Sequence, residues 1–537
     1  MALAAVLDHL ADGLPAVKAV LVLVFPLLFI LLRHFSDSAR SSQEHKRMPP
    51  SPLAMPLIRH LHLIAGGLPH VSLRDLAARQ QGDGGLMLLH LGTVPTLVVS
   101  SLHAARQILR THDASFASRP GSVVGNILSY GPSGVGFAPY GEWWRQAKKL
   151  VTTHLLAAKK GQSYRAAREE GVGAVIARIR GAAAAHAPVD MSELPSSFTN
   201  DILCRAVAGR WFRVEGRNKV LRELIDAGMA VVGGFNLENF YPRLAKVAGG
   251  VLTWPARQRA ERLRCRWDNI FDALIDEHAR EMAGADGGTD LQDSDFIHVL
   301  LSVQEEYGLT RNSIKGILAD MFTVGIDTAY LVLEFAMAEL MLHQDALAKL
   351  QAEVRKTMPD VQETIIEGNL AGMPYLMAVI KETLRLQQPS SLLVPHLSLE
   401  DCDVDNYMVP AGTTVFINAW AIGRDPKMWN APEEFMPERF IDSKGDITGA
   451  EFRGNDFQFL PFGSGRRICP GVNFALALVE IMLANLVYHF DWELPEGVHN
   501  VDMTEVFGLA VRRKEKLLLI PRFHPPPVHK SRSPGGE

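Results

Sequence analysis

Phe462-Gly463-Ser464-Gly465-Arg466-Arg467-Ile468-Cys469-Pro470-Gly471 is a glycine-rich loop that carries one cysteine and runs straight into an apolar helical pattern over 472–489. The cysteine therefore stands beside a helix amino terminus. A helix dipole and its free backbone N–H groups favour negative charge at that point, which predicts a thiolate, the form in which cysteine binds metal. Glycines at 463, 465 and 471 let the backbone come close to a flat cofactor. Cys469 is the candidate metal ligand.

The remaining cysteines, Cys204, Cys265 and Cys402, form no C-x-x-C pair with it or with each other. That spacing argues against a cysteine zinc site and against a disulfide framework, and predicts reduced thiols. The whole chain has 537 residues, 47% hydrophobic and 21% charged, with a formal charge of -4. Lys and Arg are scattered among Asp and Glu rather than gathered in a stripe, so no nucleic-acid partner is expected.

At the amino end an apolar run over 14–32 is broken only by Lys18 and is followed at once by Arg33 and His34. Its length suits a bilayer-spanning helix, and no small-residue cleavage site follows it, so it reads as a retained anchor. Positive charge behind the run predicts that the bulk of the chain is cytosolic, held on the endoplasmic reticulum membrane by a single pass. The expected organisation is an anchor over 1–35, a basic and Pro-rich hinge over 36–56, a catalytic domain over 57–523 and a disordered tail over 524–537.

Between these ends the chain is mostly α with minor β. Helical periodicity covers 256–283, 311–341, 344–356 and 472–489, and short β-branched runs at 96–100 and 413–417 predict strands. Within one helix, Glu382 and Arg385 stand three apart, close enough for an ion pair. Gly325 lies in mid-helix, where it costs about 1 kcal/mol against alanine and wants a reason.

The ligand loop resembles the cytochrome P450 pattern F-x-x-G-x-R-x-C-x-G at Phe462, Gly465, Arg467, Cys469 and Gly471. The resemblance implies the cytochrome P450 fold, haem b (iron protoporphyrin IX) as cofactor, and Arg467 on a haem propionate. It further implies that Glu382 and Arg385 lock to Arg439, in Pro437-Glu438-Arg439-Phe440, as a structural triad. Val324-Gly325-Ile326-Asp327-Thr328-Ala329 is similar to the family's oxygen-binding motif, where the helix opens and where Asp327 and Thr328 serve proton delivery. Trp144 and Lys148, in Trp143-Trp144-Arg145-Gln146-Ala147-Lys148, resemble the pair that holds the propionates, and His396 stands where a propionate-binding Arg is common. Phe322, Val324, Leu393, Val394 and Phe507 are the expected pocket wall.

Glu305-Glu306-Tyr307-Gly308-Leu309-Thr310-Arg311 and Asp502-Met503-Thr504-Glu505-Val506-Phe507-Gly508 resemble grass members of the plant 71 clan that hydroxylate indole-derived precursors of benzoxazinone compounds. The resemblance implies a monooxygenase that takes electrons from NADPH through cytochrome P450 reductase and puts one oxygen atom of O2 into a small apolar substrate. Another specialised metabolite, a terpenoid or phenolic, or a haem-binding relative without turnover, are the alternatives. The sequence departs from the pattern at Val324, Ala329, Gln387, Gln388, His396, Lys148 and Arg59.

Overall fold

The computed structural model describes residues 48–79, 85–209, 217–234, 236–247, 250–284, 295–358 and 363–524. The expected anchor and the tail beyond residue 524 lie outside them. Helices dominate, as the periodicity predicts: Gly250–Gly284, Arg311–Leu342, Gln344–Thr357 and Val472–His489 each cover an expected segment.

The central element is the helix Arg311–Leu342. Thr310 caps it, its Oγ1 accepting the Ser313 N–H at 3.1 Å. It is apolar nearly all round and buried along most of its length, because the helices Glu193–Ala208, Val472–His489 and Pro374–Leu386 pack on it. Gly325 now has its reason. A Cβ there would stand 2.9 Å from Leu203 Cδ2 of the helix Glu193–Ala208, so a side chain at that point would have to push the Leu203 tip aside. Arg311–Leu342 and Val472–His489 are long and apolar enough to cross a membrane, but both are mostly buried, as core helices are.

Beside the helices lies a four-stranded sheet in the order Leu86–Leu91, Val94–Val99, Thr414–Ile417, His396–Leu397. The two runs predicted as strands are its inner pair, parallel and in register from Thr96 opposite Thr414 to Val99 opposite Ile417. The last strand, with His396 opposite Val415, brings the segment before it to the edge of the helical core.

The Pro-rich part of the expected hinge is docked rather than free. The Leu88 N–H donates to the Pro50 carbonyl at 2.9 Å, and the His60 ring bonds the Pro52 carbonyl at 2.9 Å. Proline lacks a donor but keeps its carbonyl, and here the sheet edge and a buried histidine take those carbonyls up.

Candidate active site

Val472–His489 starts with Gly471 as its cap residue, and the loop before it is shaped by backbone no other residue tolerates well. Gly465 has φ +68°, and a Cβ on it would stand 2.4 Å from the Leu109 carbonyl oxygen and 2.7 Å from Asp113 Oδ1. Asp113 holds the next residue, accepting the Arg466 N–H at 3.1 Å and Arg466 Nη1 at 2.7 Å. The Cys469 N–H closes the loop by donating to the Phe462 carbonyl at 2.9 Å. These contacts leave the Cys469 thiol facing a cavity of about 280 Å³.

Burial raises the thiol pKa above its ordinary value, against the smaller opposing effects of the Gly471 N–H and the Lys148 charge. The helix-terminus N–H acts in the expected direction, and burial acts against it. Desolvation in an apolar pocket opposes the charged form, and a metal cation is what would tip the balance toward thiolate.

Across the cavity runs one stripe of the central helix: Met321, Val324, Gly325, Thr328, Ala329 and Val332. Leu393, Val394 and Leu509 join the wall with Phe462 and Phe137. Phe322 does not belong to this stripe. One residue on from Met321 turns the side chain by about 100°, and Phe322 is fully buried against Phe271, with ring centroids 6.0 Å apart. Phe507 also lies outside the cavity wall, in the turn beside His70 at 6.2 Å, and Leu509 and Ala510 reach the wall instead.

The helix is continuous through 324–329, with no opening. Thr328 Oγ1 donates to the Val324 carbonyl at 3.2 Å, the back-bond by which a hydroxyl can loosen a turn. Asp327 points away from the cavity wall. Burial, with the nearby Asp226 charge adding to it, pushes its carboxyl up to about 6.

One edge of the cavity is basic. Arg467 donates to the carbonyls of Ala117, Val135 and Ala138, and Arg119 to those of Gly136, Val394 and Pro395. Among the described residues neither guanidinium meets a carboxylate. Burial lowers Arg467 to about 10 and lowers Arg119 further, Arg119 also feeling the Arg467 charge. Two desolvated cations with no counter-charge fit the two acid groups of a haem, and the apolar walls with a thiol at one side fit its ring and iron.

Arg119 was not anticipated from sequence, where an arginine before Pro120 looks like any solvated one. Trp144 and Lys148 act at one remove from the cavity. The Trp144 indole N–H donates to the Val135 carbonyl at 3.1 Å, its ring lies 4.2 Å from Arg467 Cζ, and Lys148 donates to the Arg466 carbonyl. His396 does line the cavity. Its Nδ1 donates to the Phe116 carbonyl at 2.8 Å, and burial with the Arg119 charge lowers it to about 3, so it is neutral.

Opposite this edge of the loop, Asp320 of the central helix accepts the N–H groups of Val135 and Gly136. The segment 134–138 is thus gripped from both sides, its amides by a carboxylate and its carbonyls by Arg119, Arg467 and Trp144.

Glu382 and Arg385 form a bidentate pair at 2.8 Å, and Arg439 Nε reaches Glu382 Oε1 at 3.0 Å, all three almost fully buried. Gln388, one of the departures, donates to the Leu460 carbonyl at 2.8 Å just ahead of the ligand loop, and Gln387 to Glu339 at 2.6 Å.

The family model described as Cytochrome P450 matches residues 49–520. An indole-2-monooxygenase of Zea mays is 50% identical over 528 residues, covering 94% of this chain and 96% of that protein. An indolin-2-one monooxygenase of Zea mays is 50% identical, covering 91% of each, and a 3-hydroxyindolin-2-one monooxygenase of Zea mays is 47% identical, covering 95% and 94%. Among solved structures, a zebra fish cytochrome P450 with progesterone superposes with a TM-score of 0.70 at 23% identity, covering 84% of this chain and 99% of that one.

Proposed function

The chain belongs to the cytochrome P450 family, and from that premise we propose that it inserts one oxygen atom of O2 into a small apolar, indole-derived plant metabolite. The balance is substrate C–H, O2, NADPH and a proton giving substrate C–OH, water and NADP+, with cytochrome P450 reductase passing the electrons. Haem bound through a thiolate supplies the activation and cleavage of dioxygen.

The observation that carries the reading is a thiol set in an apolar cavity with two uncompensated guanidiniums at its rim. In this reading Cys469 ligates iron, and Arg119 and Arg467 hold the propionates. Trp144 positions Arg467, Lys148 fixes the ligand loop, and His396, held through Nδ1 by the Phe116 carbonyl, lines the same cavity. Thr328 and Asp327 move protons: the hydroxyl faces the cavity, and a carboxyl of pKa about 6 can give and regain a proton near neutrality. Val324, Leu393 and Val394 shape the substrate's space and exclude water. Glu382, Arg385 and Arg439 hold the fold behind the site.

The substrate class rests on the names of the maize relatives and on a wall with few polar groups, which suits a flat heterocycle. Anchorage to the endoplasmic reticulum by residues 1–35, with the catalytic domain in the cytosol, is part of the reading. Leu53, Met55, Leu57 and Ile58, all exposed where the described chain begins, support a membrane-facing surface there.

The test is to supply membranes carrying the chain and a plant reductase with NADPH, isotopically labelled O2, and indole, indolin-2-one or 3-hydroxyindolin-2-one. A product gaining one labelled oxygen is expected from at least one of the three. Haem-loaded protein that oxidises none of them would remove the indole class.

A further inference from the structure

Outside the cavity, the helices Gly250–Gly284 and Phe296–Ser302 bring His278, Asp295 and His298 together, with one ligand-type atom from each lying within 4.8 Å of the others. His278 Nε2 stands 3.1 Å from Asp295 Oδ2, and His298 Nδ1 stands 2.9 Å from Asp295 Oδ1. The two imidazoles meet edge to face with centroids 4.6 Å apart.

Part of this arrangement is explained without any ligand. Asp295 caps the short helix by accepting the His298 N–H at 3.0 Å, and it pairs with His278. The cap accounts for the carboxylate and one histidine. It does not account for His298 Nδ1, which is buried, has no hydrogen-bond partner, and lies close to Oδ1 without the alignment a hydrogen bond needs.

The outer nitrogens are oriented as those of metal-binding histidines are. His278 Nδ1 donates to the Leu274 carbonyl at 2.7 Å and Nε2 donates to Asp295 Oδ2, so a cation would take the place of the Nε2 proton between the two groups. His298 Nε2 faces Glu281 Oε2 at 3.4 Å, which leaves Nδ1 for the same centre. A backbone carbonyl on one ring and a carboxylate on the other is the usual outer support of imidazole ligands. Zinc at about 2.0–2.1 Å from each atom of a tetrahedron sets neighbouring ligand atoms roughly 3.3 Å apart, so the separations from the two Asp295 oxygens widen a little and the two nitrogens, within 4.8 Å of each other, draw together as the cation enters.

We propose that His278 Nε2, Asp295 and His298 Nδ1 form a binding site for a zinc-type divalent cation, with water as the fourth ligand. Two imidazoles and one carboxylate suit such a cation better than calcium or magnesium, which take oxygen ligands. The ion joins the long helix to the short one. It also lies beside the end of the helix Glu193–Ala208, where Gly209 is pressed so close that a Cβ would stand 2.6 Å from Asp295 Oδ2.

The test uses the full haem-loaded chain, purified without a polyhistidine tag and titrated with zinc chloride against a chromogenic chelator. One zinc per chain is expected, with the affinity at least tenfold lower in His298→Gln at unchanged haem content. X-ray absorption at the zinc edge of the unsubstituted protein is expected to find nitrogen and oxygen neighbours only, and needs no variant to fold. Absence of stoichiometric zinc, equal affinity in His298→Gln, or sulfur in the zinc shell from the exposed Cys265 would each overturn the site.

Discussion

Glu382, Arg385 and Arg439 make a buried charge cluster with its own carboxylate, whereas Arg119 and Arg467 make one without. In the first, Glu382 Oε1 and Oε2 together accept from both guanidiniums and from the Met436 N–H, and the spare donors reach carbonyls such as those of Gly423 and Pro432. In the second, the hydrogen bonds the guanidiniums make end on backbone carbonyls and burial pulls both arginines down. A closed cluster serves the fold. An open one is short of negative charge among the described residues, and a bound group with acid functions would bring it.

The largest effect expected is on the closed cluster. Glu382→Ala leaves two buried guanidiniums without their carboxylate and is expected to cost about 3–5 kcal/mol, read as a lower denaturation midpoint. A loss below about 1 kcal/mol would erase the contrast between the clusters.

Behind the stripe of the central helix that faces the cavity, Asp327→Asn is expected to lower turnover by roughly a hundredfold while haem content stays the same. The carboxyl is raised, so the folded chain holds its proton more tightly than the unfolded one does. Its contribution to stability is full below the ordinary carboxylate range and is lost as pH rises through about 6. Asn should remove that slope from a stability-against-pH curve, and an unchanged slope would place the titration elsewhere.

For the open cluster the sign of the contrast sharpens. Arg119→Met is expected to weaken haem retention roughly ten- to a hundredfold, the value of a charge-assisted hydrogen bond of about 1.5–3 kcal/mol. The haem-free chain should lose far less stability than Glu382→Ala costs it. Equal losses in both measurements would make Arg119 a second structural cluster. Smallest of all, Val324→Ala should shift the ratio of kcat/KM between indole and a bulkier analogue by about tenfold.

What the sequence revealed follows the same division. The ligand loop and the Glu382–Arg385 pair are local, one a glycine-shaped turn and the other an i, i+3 spacing, so their residues could be read in order along the chain. The open cluster joins Arg119 to Arg467 across 348 positions, and no local pattern distinguishes a guanidinium destined for burial. Phe322 shows the other limit. Periodicity finds the helix, but choosing its cavity face needs the rotation to within one residue, and Phe322 sits a third of a turn from the stripe that Val324 and Thr328 share. Phe507 misses for a related reason, since the turn beyond it, not its own position, reaches the wall.

The most direct test is X-ray absorption at the iron edge of the haem-loaded chain and of Cys469→Ser. One sulfur neighbour on iron in the first and none in the second is the predicted result. A sulfur neighbour that survives the substitution, or none in the unsubstituted chain, would contradict Cys469 as the ligand and the reading built on it.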